Sequence, residues 1–146
     1  MGEFSKEVNA TFDSDYVKAM LNLKYTANYI NTVTNKELEP YQISSAQYNI
    51  LRILRGAKKP ITMKLVKERM IEKSPNTTRL TDKLCEKELI ERVRCENDRR
   101  AVYVSITEKG LQLLSQIVFA EIPKLMQQLT EEEAVLLNNL LDKVRG

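Results

Sequence analysis

The sequence predicts a mainly α chain that carries one small β-hairpin, and three observations predict it. Apolar residues recur at helical steps of three and four along most of the 146 residues. Between about residues 91 and 106 the period changes to two, the alternation of a half-buried strand pair. Ser or Thr residues suited to capping stand ahead of several apolar runs, twice with Gln or Glu three positions later.

Taken in order, Tyr16, Met20, Leu23, Ala27 and Ile30 form the stripe of a long amphipathic helix over about residues 13–36. Leu38-Glu39-Pro40-Tyr41 ends it, because a residue preceding proline is driven out of the helical region. Ser44 with Gln47 makes a capping box for the next helix, where Ala46, Ile50 and Leu54 line one face and Tyr48 and Leu51 another. A helix apolar on two sides is buried on two sides. Residues 56–60 read as a loop, and Thr62 caps a short helix carrying Leu65, Val66 and Met70. After the tight turn Ile71-Glu72-Lys73, Ser74 and Pro75 take the N-cap and first helical positions of another helix. Leu80 and Leu84 face inward there, while Asn76, Thr77, Arg79 and Lys83 fall largely on other faces. Two short helices joined in this way make a helix-turn-helix pattern.

In the period-two stretch, Val102, Val104 and Ile106 alternate with Tyr103 and Ser105, preceded by Arg92-Val93-Arg94-Cys95. Glu96-Asn97-Asp98-Arg99-Arg100 lies between these runs as a charged hairpin tip. A hairpin directly after a helix-turn-helix is a wing. Thr107 caps a long C-terminal helix with Leu111, Leu114, Val118 and Ile122, kinked at Pro123. Thr130 with Glu133 gives a second capping box ahead of Leu136, Leu137, Leu140, Leu141 and Val144. The expected organisation is a single domain over 1–146, with a winged helix-turn-helix over about 44–107. Its flanking helices, about 13–36 and 108–145, carry more apolar surface than so small a domain can cover, so they serve as dimerisation helices across a two-fold axis.

Composition narrows the function. Histidine is absent, which disfavours general-base and transition-metal chemistry; neither a metal site nor a cofactor is expected, nor an enzyme. Gly2, Gly56, Gly110 and Gly146 are too scattered for a dinucleotide or phosphate loop. Cys85 and Cys95, separated by nine residues, form no disulfide framework or zinc knuckle. No apolar run reaches the roughly 18 residues of a membrane span, and the polar start Gly2-Glu3-Phe4-Ser5-Lys6-Glu7 lacks the features of a signal peptide, so a cytoplasmic location is expected. Charge is uneven: residues 58–109 hold 14 Lys/Arg against 9 Asp/Glu, and the rest of the chain holds 9 against 11. A basic centre of this kind fits a polyanion.

Lys87-Glu88-Leu89-Ile90-Glu91-Arg92, followed by Asp98-Arg99-Arg100-Ala101-Val102-Tyr103-Val104-Ser105-Ile106-Thr107-Glu108-Lys109-Gly110, resembles the wing signature of the MarR family of bacterial winged-helix transcriptional regulators. The resemblance extends more loosely over the helix order of nearly the whole chain. It implies a homodimer that binds pseudo-palindromic operator DNA, usually as a repressor, and often releases it when a small ligand or oxidant arrives. Glu88 departs from the glycine common in the family after the recognition helix, a position suited to a left-handed cap. The N-terminal reactive cysteine of the peroxide-sensing branch and the histidines of the zinc-sensing branch are missing.

A recognition helix reads base edges from its N-terminal half, so the candidates are Ser74, Asn76, Thr77, Thr78 and Arg79, with Lys83 beyond them. Asn suits adenine, Arg suits guanine, and a Thr methyl meets the thymine methyl. On the wing, Arg94, Arg99 and Arg100 are expected at the minor groove or at phosphates, with Asp98 bracing Arg100 as the family's pattern implies. Lys64, Lys67 and Lys73 are expected at phosphates. Met20, Tyr25, Tyr29, Tyr48 and Met63 are candidates to line an effector cavity between the first long helix and the winged domain, where family members hold aromatic ligands. Lys83 and Lys87 near Cys85 could lower its thiol pKa, although an inert thiol is the plainer expectation for both cysteines. The competing class is a winged-helix module whose basic hairpin docks an acidic protein; salt-dependent binding to duplex DNA separates the two.

Overall fold

The computed structural model describes residues 2–73, 75–95 and 98–146, with the side chains of Cys95, Asp98 and Arg99 outside the description. In chain order its elements are α1 (Phe4–Glu7), α2 (Asp15–Leu38), a 3-10 turn (Glu39–Tyr41), α3 (Ser45–Ala57), β1 (Ile61–Thr62), α4 (Met63–Arg69), α5 (Thr77–Glu86), β2 (Ile90–Cys95), β3 (Asp98–Ile106), α6 (Glu108–Gln116), α7 (Glu121–Met126) and α8 (Glu131–Arg145). They divide into two compact units, residues 37–119 and residues 1–36 with 120–146.

In the 37–119 unit, local signals fix the helix starts. The Ser44 hydroxyl accepts from the Gln47 amide while the Gln47 side chain accepts from the Ser44 amide, a closed capping box at α3. Thr62 caps α4 by accepting from the Leu65 amide at 3.1 Å. The core is one cluster in which Ile50, Leu51 and Leu54 of α3 meet Val66, Met70, Leu84, Ile90, Val104 and Leu114. Each such side chain contributes roughly 1.5–3 kcal/mol by leaving water. Leu114 places α6 in this unit rather than with the terminal helices.

The expected hairpin is a three-stranded antiparallel sheet of order β1-β3-β2. β1 pairs Ile61 with Val104 and Thr62 with Tyr103, and two residues are too short to show a period. β2 pairs with β3 from Ile90↔Ile106 out to Cys95↔Asp98, so Asp98, Arg99 and Arg100 belong to a strand rather than to the tip.

Two further boundaries differ from expectation. α5 begins at Thr77 rather than at Pro75, which lies in the preceding turn, and Asn76 takes the N-cap position. The long helix expected after Thr107 is two: α6 stops at Gln116, and Pro123 falls in the first turn of α7, where its missing N–H would have had no helical partner. α8 has the predicted capping box of Thr130 and Glu133.

In the other unit, α1 precedes the long α2, and the Phe4 ring stacks on Phe12 at 5.3 Å and tilts against Tyr25 at 5.4 Å. α2 leaves Tyr16 90% exposed, with Val17, Met20, Leu21 and Leu23 also at the surface. α8 exposes Val135, Leu136, Leu137, Leu140 and Val144. No described helix is long and apolar enough to cross a membrane.

Candidate nucleic-acid interface

The turn between α4 and α5 is held from both sides. Asn49 of α3 accepts from the Ile71 amide through Oδ1 at 3.0 Å, and the Thr77 hydroxyl lies 3.5 Å from Met70 Sδ in the core. Along α5, Thr77, Thr81 and Leu84 face inward, and the Thr81 hydroxyl donates to the Thr77 carbonyl at 2.8 Å. Thr78, Arg79, Asp82, Lys83 and Glu86 face solvent. Thr77 is 1% exposed and so leaves the expected set of base readers: its hydroxyl serves the turn. Asn76, Thr78, Arg79 and Lys83 are at the surface, and Ser74 lies outside the described residues.

The exit of α5 is set by Glu88, whose φ of 61° is left-handed. The Leu89 amide donates to the Leu84 carbonyl at 3.0 Å and the Glu88 amide to the Cys85 carbonyl at 2.9 Å, the two bonds of a Schellman cap. The left-handed cap that the family commonly gives to glycine therefore forms here on a glutamate. Thr107 fastens this corner: its amide donates to the Leu89 carbonyl and its hydroxyl to the Glu88 carbonyl, while the same hydroxyl caps α6 at the Gly110 amide. The Thr-Glu-Lys-Gly run thus joins the exit of α5 to the sheet and to α6.

On the sheet, Arg94 and Arg100 are exposed; Asp98 and Arg99 lie in β3 with their side chains outside the description, so the expected Asp98–Arg100 brace lies there too. Lys64 and Lys67 are exposed on α4. Lys73 is exposed as well, but its amine donates to the Glu68 carbonyl at 3.0 Å. Sequence reasoning missed the Arg92–Asp82 ion pair between β2 and α5, the Lys87 amine on the Gln42 carbonyl, and the Asn49 tether. Only Asn49 left a trace, as an amide between Tyr48 and Ile50 in the apolar part of α3.

Cys85 is half-buried and lines an open concavity of about 380 Å³ with Glu88, Ile90, Glu91, Arg92 and Thr107. Burial pushes its thiol above the ordinary range; Arg92 opposes this and Asp82 adds to it. The direction is opposite to the activation that its basic neighbours suggest. The candidate effector residues fall in two groups. Met20 and Tyr25 are exposed and Tyr29 half-buried on α2, with Tyr25 against Phe4 and its phenol pushed up by partial desolvation and by Glu7. Tyr48 packs edge-on against Phe119 at 5.2 Å beneath Arg52, and Met63 packs on the core cluster.

A helix-turn-helix with a three-stranded wing defines the class, a winged-helix protein. A family model described as "Transcriptional regulator SarA/Rot" matches residues 32–117. MhqR of Bacillus subtilis is 29% identical over 131 residues, covering 88% of this chain and 90% of that protein. MarR of Escherichia coli is 32% identical over 117 residues, covering 75% and 78%. A solved structure of mutant E. coli MarR complexed with operator DNA is similar with a TM-score of 0.76 and 26% identity, covering 98% of this chain and 99% of that one. The chain belongs to the MarR-like SarA/Rot family of transcriptional regulators. Its relatives here are regulators rather than enzymes.

Proposed function

We propose that the chain is a homodimeric, sequence-specific DNA-binding repressor of pseudo-palindromic operators, released by a small aromatic or apolar effector. The observation that carries this reading is the outward row of Thr78, Arg79 and Lys83 on α5, beside a wing that presents Arg94 and Arg100. α5 enters the major groove, where Asn76, Thr78 and Arg79 meet base edges; Ser74 stays in the set on its sequence position. Arg94, Arg99 and Arg100 follow the minor groove or its phosphates, with Asp98 as brace. Lys64 and Lys67 hold phosphates. The likeness to an operator-bound MarR supports this placement.

A second copy of the chain covers the exposed Tyr16, Met20, Leu136, Leu140 and Val144, since unassociated proteins seldom show so much apolar surface. A two-fold dimer then sets the two α5 helices about 34–36 Å apart, one duplex turn. The test is selection from a randomised duplex pool, followed by titration of the selected site across salt. The expected result is a two-fold symmetric site and a log–log slope of about −0.9 for each phosphate neutralised. Salt-independent binding, or a monomer in sedimentation at micromolar concentration, overturns the reading. For the effector, a thermal-shift screen of phenolic compounds is followed by titration of hits with and without the selected duplex. Linkage requires both ligands to weaken each other by one factor, and equal affinities remove the effector.

A further inference from the structure

The wing is broadest at its root. Arg92 of β2 stands opposite Val104 of β3, which pairs on its other side with Ile61 of β1. The next rung, Val93, Tyr103 and Thr62, is the last with three strands. Beyond it β2 and β3 continue as a ribbon of two, with a register shift between Val93 and Cys95. β2 is therefore an edge strand, and the exposed Arg94 lies within the shifted stretch. At that root the Arg92 guanidinium reaches across to Asp82, on the outward face of α5 between Arg79 and Lys83.

We propose that the Asp82–Arg92 ion pair is a strut that fixes the angle between recognition helix and wing, making both positioning residues for DNA binding. The inference rests on the reading that α5 and the wing engage one duplex. An acid on the DNA-facing side of α5 repels phosphate, so the presence of Asp82 there, beside Arg79 and Lys83, needs a structural return. Here the carboxylate accepts from a planar, multi-donor guanidinium, which restricts direction as well as distance. With α5 fixed at its exit by Thr107 and Glu88, this side-chain tie further along the helix removes the remaining rotation of the ribbon about its root. Both partners are about half exposed, so the pair contributes little to overall stability. Its effect falls on geometry: the wing must meet the minor groove in the register that α5 sets in the major groove.

The test uses the full chain and a labelled duplex selected by the wild-type protein. Asp82→Asn removes a negative charge facing the duplex, so electrostatics alone predicts tighter binding. The strut predicts the opposite sign: Asp82→Asn and Arg92→Gln each weaken binding roughly three- to tenfold, with unchanged melting temperature, and the exchange Asp82→Arg with Arg92→Asp recovers most of the loss. Hydrogen exchange in the free protein gives a readout without DNA, in which β2 amides at Ile90–Val93 lose protection in both single variants. Tighter binding by Asp82→Asn overturns the strut, as does failure of the exchange variant to recover or unchanged β2 protection. A wild-type chain that binds no duplex sinks the functional reading instead, while the exchange measurement still decides the strut.

Discussion

Gly110 sits directly beneath the carbonyl of Leu89, with no room between them for a methyl group. A Cβ at Gly110 would penetrate the Leu89 oxygen and lie 2.7 Å from Ile106 Cγ1 and 3.2 Å from the Leu89 carbonyl carbon. That carbonyl already accepts from the Thr107 amide and shares the Thr107 hydroxyl, 3.0 Å away, with the Glu88 carbonyl. The exit of α5, the sheet and α6 thus converge on one peptide group, so the last turn of α5 cannot shift without moving α6.

Gly110→Ala should therefore destabilise the chain by about 2–3 kcal/mol, because the obstacle is backbone rather than a flexible side chain. Thr107→Val keeps the shape but removes a cap, and should cost about 1–2 kcal/mol. Urea denaturation followed by circular dichroism measures both. A Gly110→Ala midpoint equal to wild type would show that α6 moves aside freely.

Glu88 predicts a gain. A non-glycine residue in the left-handed region costs roughly 1–2 kcal/mol, and glycine returns part of that through its looser unfolded state. Its ion pair with Lys109, 3.8 Å apart and largely exposed, adds little. Glu88→Gly should stabilise by about 0.5–1 kcal/mol and leave the fold unchanged. A destabilised Glu88→Gly would mean that the glutamate side chain has a role beyond that contact.

Much of this corner was legible in the sequence because caps are local. Ser44 with Gln47, Thr62, Thr107, and Thr130 with Glu133 each announce a helix within three residues, and each does cap one. Ser74 and Pro75 carry the same residue types, yet the helix starts later, at Thr77, whose side chain is drawn into the core beside Met70. Tertiary packing outweighed the local preference. Nothing local reports β1, a strand of two residues defined by its pairing partner, or the Asp82–Arg92 pair, which joins residues ten apart across two elements. Proline disrupts a helix interior, so Pro123 predicts a kink, whereas the chain uses it in the first turn of α7.

Arg79 and Lys67 separate readout from attraction. Arg79 is exposed near the start of α5 and Lys67 is exposed on α4. Arg79→Ala should lower affinity for the selected duplex by roughly 1–3 kcal/mol and relax preference at one base pair, if the side chain pairs with guanine. Lys67→Ala should weaken selected and shuffled duplexes alike and reduce the salt slope by about one. Competition between the two duplexes measures the specificity ratio, and an unchanged ratio for Arg79→Ala moves base reading elsewhere on α5.

Cys85 gives a prediction in pH. Its folded-state thiol is raised above the ordinary value, chiefly because half-burial disfavours the thiolate. A raised folded pKa means that the native chain holds this proton more tightly than the unfolded chain. The corresponding stability is fully present below the unfolded pKa and is lost as pH rises through the folded one. Since the thiolate is the nucleophile, alkylation should be slow at neutral pH and accelerate with a midpoint above that of a free thiol. Iodoacetamide kinetics on a Cys95→Ser background, followed by mass spectrometry from neutral to alkaline pH, isolate Cys85. Arg92→Gln removes a group that favours the thiolate and should push the midpoint higher still, whereas Asp82→Asn should bring it down. A native-state midpoint below that of the denatured chain would reverse the sign, and would make Cys85 an activated thiol on the concave side of the wing root.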